Sequence, residues 1–179
     1  MRRFSMIALA MTMAMSMQAK DILVSTPNTS LLLKAEENQP LYVSYYGERI
    51  DRIDQVYNAY SLWEHAYPAF GAGCQNVPAL SVKHADGNMS TELVYQSDTQ
   101  VEEPNATLYT ITMKDRAYDF WVDVCYRAYR NSDVIETWSV IRDGEKKPIT
   151  LLKYASGYMP FRQGDAWVSH QHGSWGAES

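Results

Sequence analysis

Asp123 and Glu136 are the first residues whose chemistry has to be weighed. They fall on adjacent predicted strands. Two facing carboxyl groups can share nucleophile and acid/base work when about 5–5.5 Å separates them. The surrounding pattern argues against that use. Asp123 shares its strand face with Arg127, opposite an apolar stripe. Charge pairing across strands on a solvated face accounts for such a carboxylate without catalysis. The second candidate is His170-Gln171-His172, whose period of two puts both imidazoles on one side of a strand, as in some metal sites. A third ligand would have to come from His65 or His84, and no spacing motif joins them to the pair. The pair is read as a surface or interface feature, so no metal, no cofactor and no catalytic residue is assigned. Trp167 and Trp175 could stack on a ligand ring, but they sit in an alternating run and are read as core or interface. Asn28-Thr29-Ser30, Asn88-Met89-Ser90 and Asn105-Ala106-Thr107 fit the glycan-acceptor pattern, a short pattern that chance often supplies.

The elements that position these residues are read from periodicity. Alternation with period two runs through 107–156, broken at Lys114-Asp115-Arg116, Asn131-Ser132-Asp133 and Asp143-Gly144. It predicts a four-stranded meander at about 107–113, 117–129, 134–142 and 149–156. In the second strand one face reads Phe120, Val122, Val124, Tyr126, Ala128, and the other Trp121, Asp123, Cys125, Arg127, Tyr129. That is a half-buried antiparallel strand. Upstream, a hairpin is expected near 29–35 and 41–46, then a short helix at about 51–57 from the spacing of Ile50, Ile53, Val56 and Tyr57. Residues 67–80 carry two glycines, two prolines and an Asn, which makes a shaped loop. A strand at 79–83, the turn Asp86-Gly87-Asn88 and a return strand at about 91–96 follow, with 97–105 as an exposed connection. The alternation of 164–179 stops mid-pattern, so the chain is expected to be a fragment. The fold class expected is all-β: an antiparallel, supersandwich-like β-sandwich that is incomplete.

Composition narrows the class. Arg2-Arg3, the apolar run 4–17 and the small residue Ala19 form the pattern of a signal peptide, too short to span a membrane. A secreted or periplasmic location is expected, with a mature chain from Lys20. Losing Arg2 and Arg3 takes the formal charge from −5 to −7. Nucleic acid is therefore excluded as a partner, since a phosphate backbone calls for clustered Lys and Arg. The remaining residues, about 160, make one domain able to bury a core. Cys74 and Cys125 would meet an oxidising compartment, and nothing in the sequence places them within bonding distance.

Four segments carry a resemblance. They are Leu41-Tyr42-Val43-Ser44-Tyr45-Tyr46-Gly47-Glu48-Arg49-Ile50; Tyr67-Pro68-Ala69-Phe70-Gly71-Ala72-Gly73 with Pro78-Ala79-Leu80; the long hairpin of 118–142 with Ser132-Asp133-Val134-Ile135 at its tip, then Pro148-Ile149-Thr150-Leu151-Leu152; and Gly164-Asp165-Ala166-Trp167. In this order they resemble the N-terminal β-supersandwich domain of glycoside hydrolase family 36, the α-galactosidases. The resemblance implies a domain that precedes a (β/α)₈ barrel, where two aspartates retain the anomeric configuration. It implies a missing barrel as partner, a galactoside substrate reached through the parent enzyme, and assembly into homo-oligomers. The family's Lys-Trp-Asp nucleophile motif does not occur here, and a barrel needs about 250 residues. The 179-residue chain is thus expected to be inactive alone. In the family the loop after the second glycine lies near the sugar. Cys74, Gln75 and Asn76 occupy that place here, with Cys74 where many members have Asp. A thiol cannot accept two hydroxyl hydrogen bonds as a carboxylate does. The alternative reading is a free-standing secreted carbohydrate-binding sandwich.

Overall fold

A computed structural model describes residues 19–56, 64–71, 73 and 77–160. Strands β1 (Lys20–Ser25), β2 (Thr29–Ala35), β3 (Tyr42–Glu48) and β4 (Glu64–His65) form one sheet in that order. Strands β6 (Leu93–Glu102), β7 (Ala106–Asp115), β8 (Phe120–Tyr129) and β9 (Ile135–Asp143) form a second antiparallel sheet, also in chain order. A third, two-stranded sheet pairs β5 (Leu80–Lys83) with β10 (Thr150–Tyr154). The sheets close on a single core. Val24, Leu31, Leu33 and Val43 meet Ile111, Met113, Phe120, Val122, Val124 and Tyr126, all buried. The strands form because their side chains alternate. The predicted apolar stripe of β8 is buried from end to end, while Trp121, Asp123, Arg127 and Tyr129 stay half-buried on the other face. Cys125 on that outer face is buried as well, a free thiol.

Several expectations are corrected. The fourth meander strand leaves the sheet: β10 pairs with β5 from Thr150↔Lys83 to Tyr154↔Leu80. The connection before it is tied down elsewhere, by Gly144 N–H on the Asp119 carbonyl at 2.8 Å and by Glu145 on the turn after β5. Consequently 91–96 is not the return strand of β5. The turn at Gly87 (φ 91°) is real, but the chain beyond it pairs with β7 over Leu93–Glu102. Residues 97–102 are therefore strand, not connection. Their polarity belongs to an edge strand, wet on the side that has no neighbour. The helix at 51–57 reduces to a 3₁₀ turn at Ile53–Gln55, with residue 57 outside the described set. So short a segment gains too few bonds to offset helix nucleation, and Ile50 and Val56 are buried without one. The run at 21–36 also holds one strand more than expected, because Pro27-Asn28 turns β1 back onto β2.

Asp133, at the β8–β9 tip, clasps the β1–β2 turn. Its carboxylate accepts from the Asn28 side-chain amide (2.8 Å), the Asn28 N–H (2.7 Å) and the Thr26 hydroxyl (3.0 Å). The bonds from Asn28, side chain first and then backbone, hold the carboxyl below the ordinary aspartate range. A depressed folded pKa means that the native state binds fewer protons than the unfolded one. The stabilisation is present above the unfolded value of about 3.9 and fades as pH falls through the lower folded value. The stability gap between wild type and Asp133→Asn, measured by urea unfolding, is expected to stay constant above about pH 5 and to shrink below about pH 4. A gap that widens in acid contradicts the clasp.

Candidate functional site

The glycine-proline loop is built from buried anchors outward. Tyr67 is 3% exposed, and its hydroxyl donates to the Ala155 carbonyl at 2.7 Å, with Ser139 Oγ at 3.2 Å. Burial raises its pKa, against the lowering effect of those two bonds. Ala69 bridges Leu80 in parallel fashion, and Phe70 N–H donates to the Leu80 carbonyl at 2.9 Å. On the other side the Phe70 carbonyl accepts from Thr91 N–H at 2.9 Å. Gly71 then turns at φ 98°, so close to Ser90 that a Cβ would lie 2.5 Å from the Ser90 Cα. Only glycine meets both demands. Gly73 also has positive φ (70°), but in open space. The loop thus leaves the fold at a fixed place and re-enters it at Ala79, whose N–H donates to the Pro68 carbonyl at 2.8 Å. Phe70 and Val77 are exposed on either side of it. Cys74, Gln75 and Asn76, the predicted site residues, lie between these anchors and outside the described residues.

Beneath the loop stands a buried network that the sequence reading missed. The imidazole of His84 is wholly buried, with Nδ1 2.6 Å from Glu145 Oε1 and Nε2 2.9 Å from Thr91 Oγ1. It stacks on Tyr118 (centroids 3.7 Å apart, planes 7° apart) and meets the edge of Phe120. Glu145 Oε2 also accepts from Ala85 N–H at 3.1 Å. The Tyr118 hydroxyl donates to Asp86 at 2.9 Å and accepts from the Asn88 amide at 2.8 Å. The Thr91–His84–Glu145 spacing resembles a nucleophilic relay, yet Thr91 is 0% exposed, and no substrate reaches it. Its role is positional, since Thr91 also holds Phe70. No local spacing announces this network, because 61 residues separate His84 from Glu145.

The other candidates stay apart. Glu136 stands opposite Arg127, and Asp123 opposite Val140. Four residues of register therefore separate the two carboxylates, roughly 13 Å along the strand. Asp123 accepts from Arg142 (2.6 Å) and Thr112 (2.8 Å), while Arg127 bridges Glu136 and Glu103, both at 2.9 Å. The expectation of surface charge pairing holds, with Arg142 rather than Arg127 as the partner of Asp123. His65 lies edge-on to Tyr42, and burial lowers its pKa despite Glu64. His170, His172, Trp167 and Trp175 lie outside the described residues. Among the described residues no cluster of His, Cys, Asp and Glu could hold a metal ion. Burial pushes the Cys125 thiol up. Two of the three glycan-acceptor amides are already engaged, Asn28 by Asp133 and Asn88 by Tyr118.

Comparison with known proteins completes the picture. No curated protein matches the sequence. Among solved structures, the family 36 α-galactosidase AgaA of Geobacillus stearothermophilus superposes with a TM-score of 0.68 at 19% identity, over 77% of this chain and 24% of that one. The α-galactosidase of Lactobacillus brevis gives 0.63 at 18% identity, over 76% and 23%. The galactosidase domain of the α-galactosidase–sucrose kinase AgaSK gives 0.68 at 21%, over 77% and 24%. At such identities the likeness is one of fold, and the chain spans about a quarter of the length of each structure. Residues 37–179 match the glycosyl hydrolase family 36 N-terminal domain, which is most of the sequence. The chain belongs to that family.

Proposed function

We propose that this chain is the non-catalytic N-terminal platform of a secreted or periplasmic α-galactosidase-like glycoside hydrolase. A (β/α)₈ barrel continuing the same polypeptide supplies the two catalytic carboxylates and removes terminal α-galactosyl groups. The sandwich supports that barrel, and the loop carrying Cys74, Gln75 and Asn76 forms part of the wall of a sugar pocket, within one subunit or across a homo-oligomer. The family match over 37–179 carries this reading. The anchoring of Phe70 and Gly71 supports it, because a loop meant to shape a pocket must leave its scaffold at a fixed place. So does the spacing of Asp123 and Glu136, which is too wide for retaining chemistry. Residues 1–19 would direct export, with Lys20 as the mature terminus. The test is the longer polypeptide. It is expected to release galactose from raffinose and to begin at Lys20 when recovered outside the cytoplasm. A purified longer polypeptide that releases no galactose from raffinose or from chromogenic α-galactosides contradicts the platform reading.

A further inference from the structure

The second sheet turns one face outward, half-buried along most of its length, and that face is not bland. One register row sets Lys114, Trp121 and Arg142 side by side. The indole of Trp121 is flanked by the Lys114 ammonium, 4.4 Å from the ring centroid, and by the Arg142 guanidinium at 5.9 Å. Its Nε1–H donates to Asp119 at 2.9 Å. The next row brings together Ser97, Thr112 and Asp123. Both the Thr112 hydroxyl and Arg142 donate to Oδ1 of Asp123. An open cleft of about 470 Å³ lies over these rows, lined by Ser97, Thr112, Trp121, Arg142, Asp143 and Gly144. Farther along the same face, Trp138 packs under Arg127, whose guanidinium is 4.9 Å from the ring centroid.

The chemistry of the face selects its ligand. Each cation near the indoles is matched by a carboxylate: Lys114 by Asp119, Arg142 by Asp123, and Arg127 by Glu103 and Glu136. No uncompensated positive charge remains to favour an anion. Charged side chains interrupt the apolar surface on three of its rows, at Lys114 and Arg142, at Asp123, and at Arg127 and Glu136, which disfavours an apolar protein partner. What remains is half-buried indole beside fixed hydrogen-bonding groups: a carboxylate, a guanidinium and two hydroxyls. That set suits a neutral polyhydroxylated ligand, with C–H groups against the ring and hydroxyls on the fork. We propose that the outer face of the β6–β9 sheet is an oligosaccharide-binding surface, centred on the Trp121 cleft and extending toward Trp138. This goes beyond the platform role and stands on this face alone, so it can fail while that role holds, and the reverse.

The experiment is a titration of the 179-residue chain with stachyose, and separately with maltohexaose, followed by the indole N–H resonances in ¹H–¹⁵N spectra. The Trp121 resonance, assigned by its loss in Trp121→Phe, is expected to shift and saturate with a Kd of about 1 mM for at least one of the two sugars, as befits a shallow open cleft. Ser97→Arg changes an exposed residue of the edge strand and fills the cleft. It is expected to weaken that Kd about tenfold or more while the rest of the spectrum stays folded. The proposal is overturned if the Trp121 resonance stays fixed with both sugars up to about 50 mM, far above the expected range. It is equally overturned if Ser97→Arg binds as tightly as the wild type.

Discussion

Replacing His84 with alanine is expected to lower the folding free energy by about 3–5 kcal/mol, the usual cost of truncating a buried ring and breaking the hydrogen bonds it holds. The reasons are local. Glu145 is only 9% exposed at its side chain, and without the imidazole its carboxylate keeps only Ala85 N–H among the described residues. Thr91, wholly buried, loses the partner of its hydroxyl. Tyr118 and Phe120 lose a ring they pack against. The urea midpoint should fall while the slope stays constant, since the surface exposed on unfolding hardly changes. The damage should also travel. Thr91 N–H donates to the Phe70 carbonyl, so the Thr91 amide should exchange with solvent faster in His84→Ala than in wild type. A loss below about 1 kcal/mol, the size of one ordinary hydrogen bond, would remove His84 from its place as the support of the loop.

The second large effect is expected at Gly71. Alanine there must adopt φ near 98° and place its Cβ 2.5 Å from the Ser90 Cα. The left-handed backbone costs about 1–2 kcal/mol, and the contact falls on backbone, which cannot swing aside as a side chain does. Overpacking adds about 1–3 kcal/mol, so Gly71→Ala should lose about 2–5 kcal/mol in urea unfolding. Gly73 serves as the control, with positive φ but nothing within 4 Å of its Cβ position. Gly73→Ala should cost only the backbone part, about 1–2 kcal/mol. Equal losses at the two positions would mean that the loop does not press against Ser90.

What could be read from the residues alone follows from how local each signal is. The stripe Phe120, Val122, Val124, Tyr126, Ala128 is a period-two pattern within one strand, and all five residues are buried. The β2–β3 hairpin and the meander through Asp143 are near-neighbour pairings marked by polar turns. Partner choice over long distances was not legible. Nothing in Thr150-Leu151-Leu152-Lys153-Tyr154 says that it joins β5 rather than β9. Glu145 reaches His84 beside that pairing, a contact between side chains 61 residues apart. The polar run in 97–102 reads as loop because an edge strand wet on its open side and a connection can share one composition. At the candidate site, the glycines and prolines revealed a shaped loop. The buried triplet that holds it carries no motif and emerges only when Glu145 packs against the distant 84–91 segment.

The central claim is a division of labour between this sandwich and a catalytic body. The most direct measurement is hydrolysis of a chromogenic α-galactoside by the purified, folded 179-residue chain. Release of chromophore is expected to equal the buffer blank, at any enzyme concentration. Turnover that rises in proportion to the concentration of this chain would contradict the claim, because chemistry would then reside in the sandwich itself.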